Sequence, residues 1–495
     1  GQWRSVYMTF SAHYAFKSRY IADFSIRRDG TTKFGDNKRW GNFPALSFRW
    51  NVVDEPWMRG TQKWLSMLSL RPGWGRVGSQ PTDEYLFFSK YTGTDSYNGA
   101  NSIYPSNIRL SNLQWEEKET WNVGFDLGLF NNMITADFNI YTQMTSKLLM
   151  RDVKLPSSSG FSSLSWTNVG KMRNNGWEFN VNGTDVVKVG KFRLGFNVTF
   201  ANNKNEIVEM DPTALSSLNK DFDNKNGSYL TRIQLNNPFG AIYGFRYKGV
   251  YQYSDYSDVE VPGVSGPNAP VARDENGNVI RDKAGFTIPM VFGYDKTTNT
   301  ELYEFQGGDA IYEDINHDGN INELDIVYLG SSLPKITGGW GLKFSYGRWS
   351  LNAQFNFRVG NKVINEARMN AESMYNNNNQ AASVNWRWRT EGQLAEIPRA
   401  LYNKGFNYLG SDRFVEDASF MRLNYLSLGY SLNPKLLRRI GVTSLSINLN
   451  ASNLFCLTNY SGADPEVSYG GMNVATDGAK TPRSRQFTAR VQIGF

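Results

Sequence analysis

The sequence predicts an all-β fold, a transmembrane antiparallel β-barrel of the bacterial outer membrane. Three observations carry that prediction: strands of strict period two, 14% aromatic residues beside a hydrophilic average, and connections that alternate short and long. Mean hydropathy is −0.49 and hydrophobic residues make up 40% of the 495, so the average alone reads as water-soluble. Yet the chain holds 26 Tyr, 31 Phe and 14 Trp. Barrel strands alternate lipid-facing apolar and lumen-facing polar residues between two aromatic girdles, which reconciles these values. No run of about 18 apolar residues exists, which excludes a membrane-spanning helix.

The first strand is expected over 3–17, where Val6, Met8, Phe10, Ala12, Tyr14 and Phe16 alternate with Tyr7, Thr9, Ser11 and His13. The second, 19–28, sets Tyr20, Ala22, Phe24 and Ile26 against Asp23, Ser25 and Arg27. The third, 42–53, sets Leu46, Phe48, Trp50 and Val52 against Ser47, Arg49 and Asn51. The same pattern places strands at 62–74, 112–129, 133–149, 174–186, 190–203, 335–346, 348–360, 413–432, 442–456 and 485–495. In the last of these Phe487, Ala489, Val491, Ile493 and Phe495 share one face. About 13 spanning strands result.

Between them lie short turns at 17–19, 54–62, 130–132, 187–191, 346–348 and 433–441, and long connections near 28–41, 75–111, 150–173, 204–334, 361–412 and 457–484. Outer-membrane barrels have short periplasmic turns and longer extracellular loops. A soluble sandwich has no reason to collect its long loops at one end. Residues 238–253 also alternate, but a crossing there would reverse every later strand, so this segment is assigned to an extracellular extension. An odd number of strands cannot close such a barrel, so at least one further strand is expected upstream. The chain also runs from Gly1 straight into a strand pattern, with no signal peptide.

The formal charge of +7 comes from 53 basic and 46 acidic residues, scattered without a Lys/Arg run; a mixed solvated surface is expected and nucleic acid is not. Cys456 is the one cysteine, which excludes an internal disulfide framework.

Several stretches carry a family resemblance. RRDGTTKFGDNKRWGNFPALSFRW (27–50), LQWEEKETWNVGFDLGLFNNMITADFNIY (113–141) and NVGKMRNNGWEFNVN (168–182) do so first. SDRFVEDASFMRLNYLSLGYSL (411–432), SINLNASNLFCLTNYSGADPEV (446–467) and the Phe-ending tail follow in the same order. Together they resemble the C-terminal part of the β-barrel in the SusC/RagA family of TonB-linked outer-membrane transporters. The resemblance implies a barrel of about 22 strands, a plug domain and a TonB-contacting segment upstream of Gly1. It implies active import of nutrient oligomers, glycan fragments or oligopeptides, energised by TonB-ExbB-ExbD and assisted by a SusD/RagB-like lipoprotein lid. The implied location is the outer membrane of a Bacteroidetes-type Gram-negative bacterium. A passive porin and a surface binding or scaffold barrel are the competing classes.

The sharpest motif lies within 204–334, at residues 314–325. Asp314, Asn316, Asp318, Asn322 and Asp325 place side-chain oxygens at loop positions 1, 3, 5, 9 and 12, with Gly319 at 6 and Ile321 at 8. Hard cations take six or more oxygens, and this spacing wraps a chain around one Ca²⁺, the Asn320 carbonyl supplying a backbone ligand. The Asp at position 12 has a shorter arm than the usual Glu, which weakens affinity or admits Mg²⁺. Extended flanks at 310–312 and 326–328 predict a structural calcium loop without EF-hand helices. Asp274 to Asn278 reads as a hairpin turn, and Asp309 as a solvated carboxylate.

Enzymatic activity finds little support. His13 and His317 are the two histidines; the first falls on a polar strand face and the second inside the metal loop, leaving no Ser–His arrangement. Loop aromatics Tyr91, Tyr97, Tyr104, Trp166, Trp386, Trp388, Tyr402, Phe406 and Tyr408 are open to two readings, stacking on substrate or packing the loops. No substrate-binding residue is singled out.

Overall fold

The computed structural model describes residues 2–93, 103–219, 222, 223, 225–230, 232–253, 270–293, 303–437, 441–468 and 473–495. Thirteen spanning strands form one sheet, each paired antiparallel with the spanning strand before and after it. They are β1 (Ser5–Phe16), β2 (Tyr20–Thr31), β3 (Trp40–Asn51), β4 (Leu65–Ser79), β5 (Glu116–Leu129), β6 (Ile134–Ser146) and β7 (Lys171–Val189). Then come β8 (Phe192–Glu209), β9 (Ile336–Tyr346), β10 (Trp349–Val359), β11 (Phe420–Ser431), β12 (Ser444–Thr458) and β13 (Gln486–Gly494). All thirteen coincide with segments predicted from alternation. Residues Ala241–Gly244 and Tyr247–Val250 stand outside the sheet, as parity requires, pairing with Val327–Ser331 and Ala310–Tyr312. With an odd count, the edge strands β1 and β13 run in the same direction.

Register shows why period two matters. Leu70 of β4 faces Phe125 of β5, Phe125 faces Phe138, Phe138 faces Phe179, and Phe179 faces Phe200 of β8. The row continues through Gly338, Phe357 and Met421 to Leu457 of β12. Gly338 interrupts it for a steric reason: a Cβ there would lie 2.7 Å from the Phe357 ring. A one-residue slip anywhere would carry a strand's whole apolar set to the other face.

The opposite face is a polar ladder. His13 Nδ1 lies 2.6 Å from the Asp23 carboxylate. Arg49 and Arg71 each donate to Asp126, at 2.5 and 2.7 Å. Asn139 and Asn180 both donate to Asp137, at 3.3 and 3.1 Å. Asn197 donates to Gln354, and Tyr425 to Asn450. This face needs water or a polar filling.

The apolar face is not covered by another layer. Phe10, Trp121 and Val491 are 62%, 58% and 58% exposed. Among the described residues, dry protein cores form at the long-loop end, where Phe34, Phe245, Phe305, Leu409 and Phe414 are fully buried. That contrast excludes a β-sandwich, whose sheets bury their apolar faces against each other.

Aromatic rings bracket the apolar face. At the short-turn end Phe16, Tyr20 and Trp50 follow one another in stacked contacts of 6.4 and 6.5 Å, and Trp349 meets Tyr430 at 4.6 Å. At the long-loop end Trp74 meets Trp121 at 5.9 Å. Trp121 and Phe130 are nine residues apart along one strand and its turn, roughly 30 Å at about 3.3 Å per residue. A tilt of about 40° reduces this to about 23 Å, close to the apolar band of about 25 Å in outer-membrane barrels.

The short turns use left-handed backbone. Phe130, Asn131 and Asn132 hold φ of 52°, 58° and 62°, and Lys17 and Ser18 hold 50° and 55°. Asn tolerates this region because its short side chain bonds locally.

The two faces predict opposite responses to the same charge. Phe138→Arg, mid-band on the lipid side, is expected to destabilise the folded barrel by about 2–4 kcal/mol. Thr199→Arg on the exposed polar face is expected to change it by less than about 0.5 kcal/mol. Urea titration of the full-length protein in lipid vesicles measures both; equal losses would refute the assignment of faces.

Candidate functional site

The described residues of the long connections 210–335 and 360–419 fold together into a cap at one end of the wall. Its core gathers Tyr243, Phe245, Phe292, Phe305, Tyr312, Ile321 and Leu409, each fully buried Phe contributing about 1.5–3 kcal/mol. Phe245 meets Tyr312 at 5.6 Å and Phe292 meets Phe406 at 4.1 Å.

At the seam between the two connections sits Asp309. The sequence suggests a solvated carboxylate, and the structure corrects this: Asp309 is fully buried. Arg399 Nε donates to it at 2.7 Å, the Tyr303 hydroxyl at 2.7 Å and the Gln306 backbone N–H at 2.9 Å. A buried charge persists only when paired and hydrogen-bonded, and here the guanidinium and the surrounding donors supply both. A second cluster joins Arg413 to Glu372 at 2.8 Å, both nearly buried, and Arg368 to Glu416 at 2.7 Å. Neither cluster is visible in sequence, because the partners lie 41 to 90 positions apart and no local pattern links them.

Residues 314–325 form a tight loop between the strands Ala310–Tyr312 and Val327–Ser331, without flanking helices. Asp314 accepts the Gly319 N–H at 2.8 Å, and Asp318 accepts the Asn320 N–H at 2.8 Å and the Asn316 side-chain amide at 3.1 Å. Gly319 has φ +79°, and a Cβ there would lie 2.8 Å from Ala272, so backbone and space both demand glycine. Asn320–Ile321 then pairs in parallel with Val291–Phe292. Asn322 caps the turn Glu323–Asp325 by accepting the Leu324 N–H at 2.8 Å. Asp325, fully buried, accepts the N–H groups of Ile315 and Asn322 at 2.8 and 2.9 Å.

The loop's electrostatics are one-signed. Burial, together with the charges of Asp314 and Asp318, pushes the Asp325 carboxyl up to about 6, against the pull of its two backbone hydrogen bonds. The side-chain oxygen of Asn320 is buried without a hydrogen-bond partner. Among the described residues no three carboxylate, imidazole or thiol side chains converge on one point, so a cation here would draw mainly on amide and backbone oxygens beside the carboxylates. His317 turns outward from the loop to the Arg273 carbonyl at 3.0 Å. Asp274 closes a turn by accepting the Asn276 and Asn278 N–H groups at 2.9 and 2.8 Å, with Gly277 at φ +83°, as its sequence suggests.

The cap also sorts the loop aromatics. Trp166 is buried over Arg151 and donates to Asp83 at 2.7 Å; Trp388 is buried and donates to Gln252 at 3.0 Å. Phe406 packs against the core, and Tyr408 meets Tyr375 at 5.8 Å. These four pack loops. Tyr91, Tyr104, Trp386 and Tyr402 are exposed, and Tyr97 lies outside the described residues. Trp386 borders a cleft of about 700 Å³ that also exposes Leu394 and is lined by Arg368, Glu372 and Arg413.

A polar-lined wall, an uncovered apolar outer face between aromatic girdles and a folded cap at the long-loop end define an outer-membrane receptor-type barrel. The family described as "TonB dependent receptor-like, beta-barrel" matches residues 5–288, and the chain belongs to it, in the SusC/RagA group. TonB-dependent receptor P39 of Formosa agariphila is 28% identical over 97% of this chain and 45% of its own length. TonB-dependent receptor SusC of Bacteroides thetaiotaomicron is 25% identical over 98% of this chain and 43% of its own. The solved RagAB peptide transporter is 25% identical and superposes with a TM-score of 0.73 over 99% of this chain and 48% of that one. The chain thus spans under half the length of these relatives, and its place is the outer membrane.

The Asp309 assignment has a measurable consequence. Asp309→Ala leaves Arg399 without its counter-charge and is expected to destabilise the cap by about 3 kcal/mol, while Asp309→Asn, which keeps some hydrogen bonds, costs less. Hydrogen exchange of residues 303–312 and 399–409 reports it; unchanged protection in the Ala variant would show the pair to be dispensable.

Proposed function

We propose that this chain is the wall and extracellular cap of an active importer. The whole protein would carry nutrient oligomers, glycan fragments or oligopeptides, across the outer membrane with energy delivered through TonB-ExbB-ExbD. In this reading the thirteen strands belong to a barrel of about 22, closed by further strands and filled by a plug. A SusD/RagB-like lipoprotein covers the cap. The observation that carries the reading is superposition of nearly the whole chain, wall and cap together, on a protein described as a peptide transporter. A passive porin has no use for a cap with its own core and buried charge pairs. A polar lumen ladder from β1 to β13 is superfluous for a surface scaffold.

Uptake decides between these classes. Cells carrying the full-length protein are expected to accumulate labelled oligopeptides or oligosaccharides, and to lose nearly all of that uptake when TonB is deleted. Uptake that survives the deletion would point to a porin, and binding without uptake to a scaffold. Supplying peptide and glycan oligomers in competition identifies the class carried.

We further propose that residues 314–325 hold a structural Ca²⁺, with Mg²⁺ as the weaker alternative, through Asp314, Asn316, Asp318, the Asn320 carbonyl, Asn322 and Asp325, the three carboxylates being drawn together from their present separation as the ion binds. Carboxylates have lone pairs beyond those their N–H partners use, and an ion would neutralise the repulsion that raises Asp325. Affinity of about 10⁻⁴–10⁻³ M suits an extracellular module. Because the ion needs Asp325 ionised, affinity should fall as pH drops below about 6. Protease cleavage within 310–331 is expected to slow in millimolar Ca²⁺ and to lose that response in Asp318→Asn. Equal cleavage with Ca²⁺ and with chelator would refute the site.

A further inference from the structure

On the outer wall the apolar band ends abruptly at the long-loop side. Along β8 the lipid-facing positions run Val198, Phe200, Asn202, Lys204, and along β7 they run Phe179, Trp177, Asn175, Arg173. The change from apolar to polar and charged side chains therefore occurs within one step on the two strands, Trp177 standing opposite Asn202 and Asn175 opposite Lys204. Arg28, stacked 5.0 Å over Trp40, and Arg76, opposite Glu119, mark that height elsewhere on the wall. This is the headgroup level of the outer leaflet, just above the aromatic girdle.

At this level the wall is notched. β8 continues beside β7 to Glu209, but its pairing with β9 ends at Ala201 opposite Thr337. The step leaves a hollow of about 600 Å³ bordered by Asn202, Lys204, Asn236, Tyr328, Lys335 and Lys362. Asn202 donates to the Lys335 carbonyl at 2.6 Å and so fixes the floor. Lys204 pairs with Glu206, and Lys362 stands 3.7 Å from the exposed Asp417. Lys335 makes no ion pair among the described residues. The hollow itself is thus lined by these lysines, by the single carboxylate Glu206 and by several asparagine amides.

Below the notch, and sharing Asn202 and Lys204 with it, a groove of about 520 Å³ descends the outer wall between Trp121, Val123, Ile140 and Trp177. A cationic hollow at headgroup height continuous with an apolar groove at acyl-chain height matches one kind of molecule. We propose that this notch and groove bind an anionic, phosphate-bearing lipid of the outer leaflet. Its phosphate lies among Lys204, Lys335 and Lys362, its polar headgroup meets the asparagines and Tyr328, and one acyl chain lies along Trp177 and Ile140. The groove and Lys204 lie on the membrane side of the wall, so the proposed lipid site is separate from transport cargo. Each lysine near a charged surface supplies a modest attraction, and three act together.

The test uses the full-length protein in detergent micelles, with lipid A as the probe and native mass spectrometry as the readout. Lipid A carrying its phosphates is expected to bind the unaltered protein about tenfold or more tightly than dephosphorylated lipid A. The variant K204Q/K335Q/K362Q is expected to bind the phosphorylated lipid as weakly as the dephosphorylated one, while keeping the heat-modifiable gel migration of a folded barrel. Equal binding of the two lipids, or no loss in the variant, overturns the proposal. So does displacement of the lipid by millimolar inorganic phosphate, which would reveal a plain anion site. The lipid comparison on the unaltered protein decides the matter should the triple variant fail to fold.

Discussion

In the hydrocarbon of a membrane, a backbone N–H or C=O without a partner costs several kcal/mol, and no water is there to supply one. The rest of this structure depends on that constraint. It forces every residue within the band into a ladder with its neighbours, and the twelve successive pairings from β1 to β13 are its solution. Once the ladder exists, side chains have only two directions in which to point. Leu70, Phe125, Phe138, Phe179 and Phe200 go one way, and Arg71, Asp126, Asp137 and Asn180 go the other. The lumen is polar because the lipid face is apolar, and the register joins the two.

Outside the band the constraint lapses and another replaces it. Chains at the long-loop end meet water, so their backbone is not compelled into one sheet, and they are held by burial. The cap folds around Phe245, Phe305 and Leu409, and it is pinned by Asp309 and Arg399 where the two long connections meet and by Glu372 and Arg413 within the second of them. Such buried pairs add little net stability over apolar packing, but breaking one is costly. They act as registration points, the first between the two connections and the second between distant parts of one.

These two regimes explain what was legible in the amino-acid order. In the wall, a residue's face follows from its neighbours two positions away, so Val6 to Phe16 or Leu445 to Ala451 could be read directly, and all thirteen strands with them. Left-handed turns were legible in part: Phe130-Asn131-Asn132 carries the residue type that tolerates them. In the cap, a residue's environment is set by partners up to 90 or more positions distant. Nothing near Asp309 announces Arg399, and a carboxylate in a loop reads as solvated. The aromatics divide the same way: Trp166 and Trp388 differ from Trp386 only in what folds over them. The loop at 314–325 was an intermediate case, since its oxygens lie close in sequence. Its turn chemistry and its glycine at 319 were legible, while the burial of Asp325 depended on the strands around it.

This division bears on how such a protein diversifies. A wall determined by local alternation tolerates many substitutions that keep a side chain's class. The solved relative that is 25% identical therefore shares the same fold over nearly the whole chain. A cap determined by distant partners changes shape when one partner changes, while the backbone pairing of the ladder beneath it does not depend on those partners. The outer notch between β8 and β9 is where the two regimes touch: the ladder stops at Ala201 and the cap begins, and the polar backbone edge exposed by that stop meets the headgroups. A barrel whose ladder must end somewhere gains most by ending it at the one depth where the surroundings can satisfy charged and amide side chains.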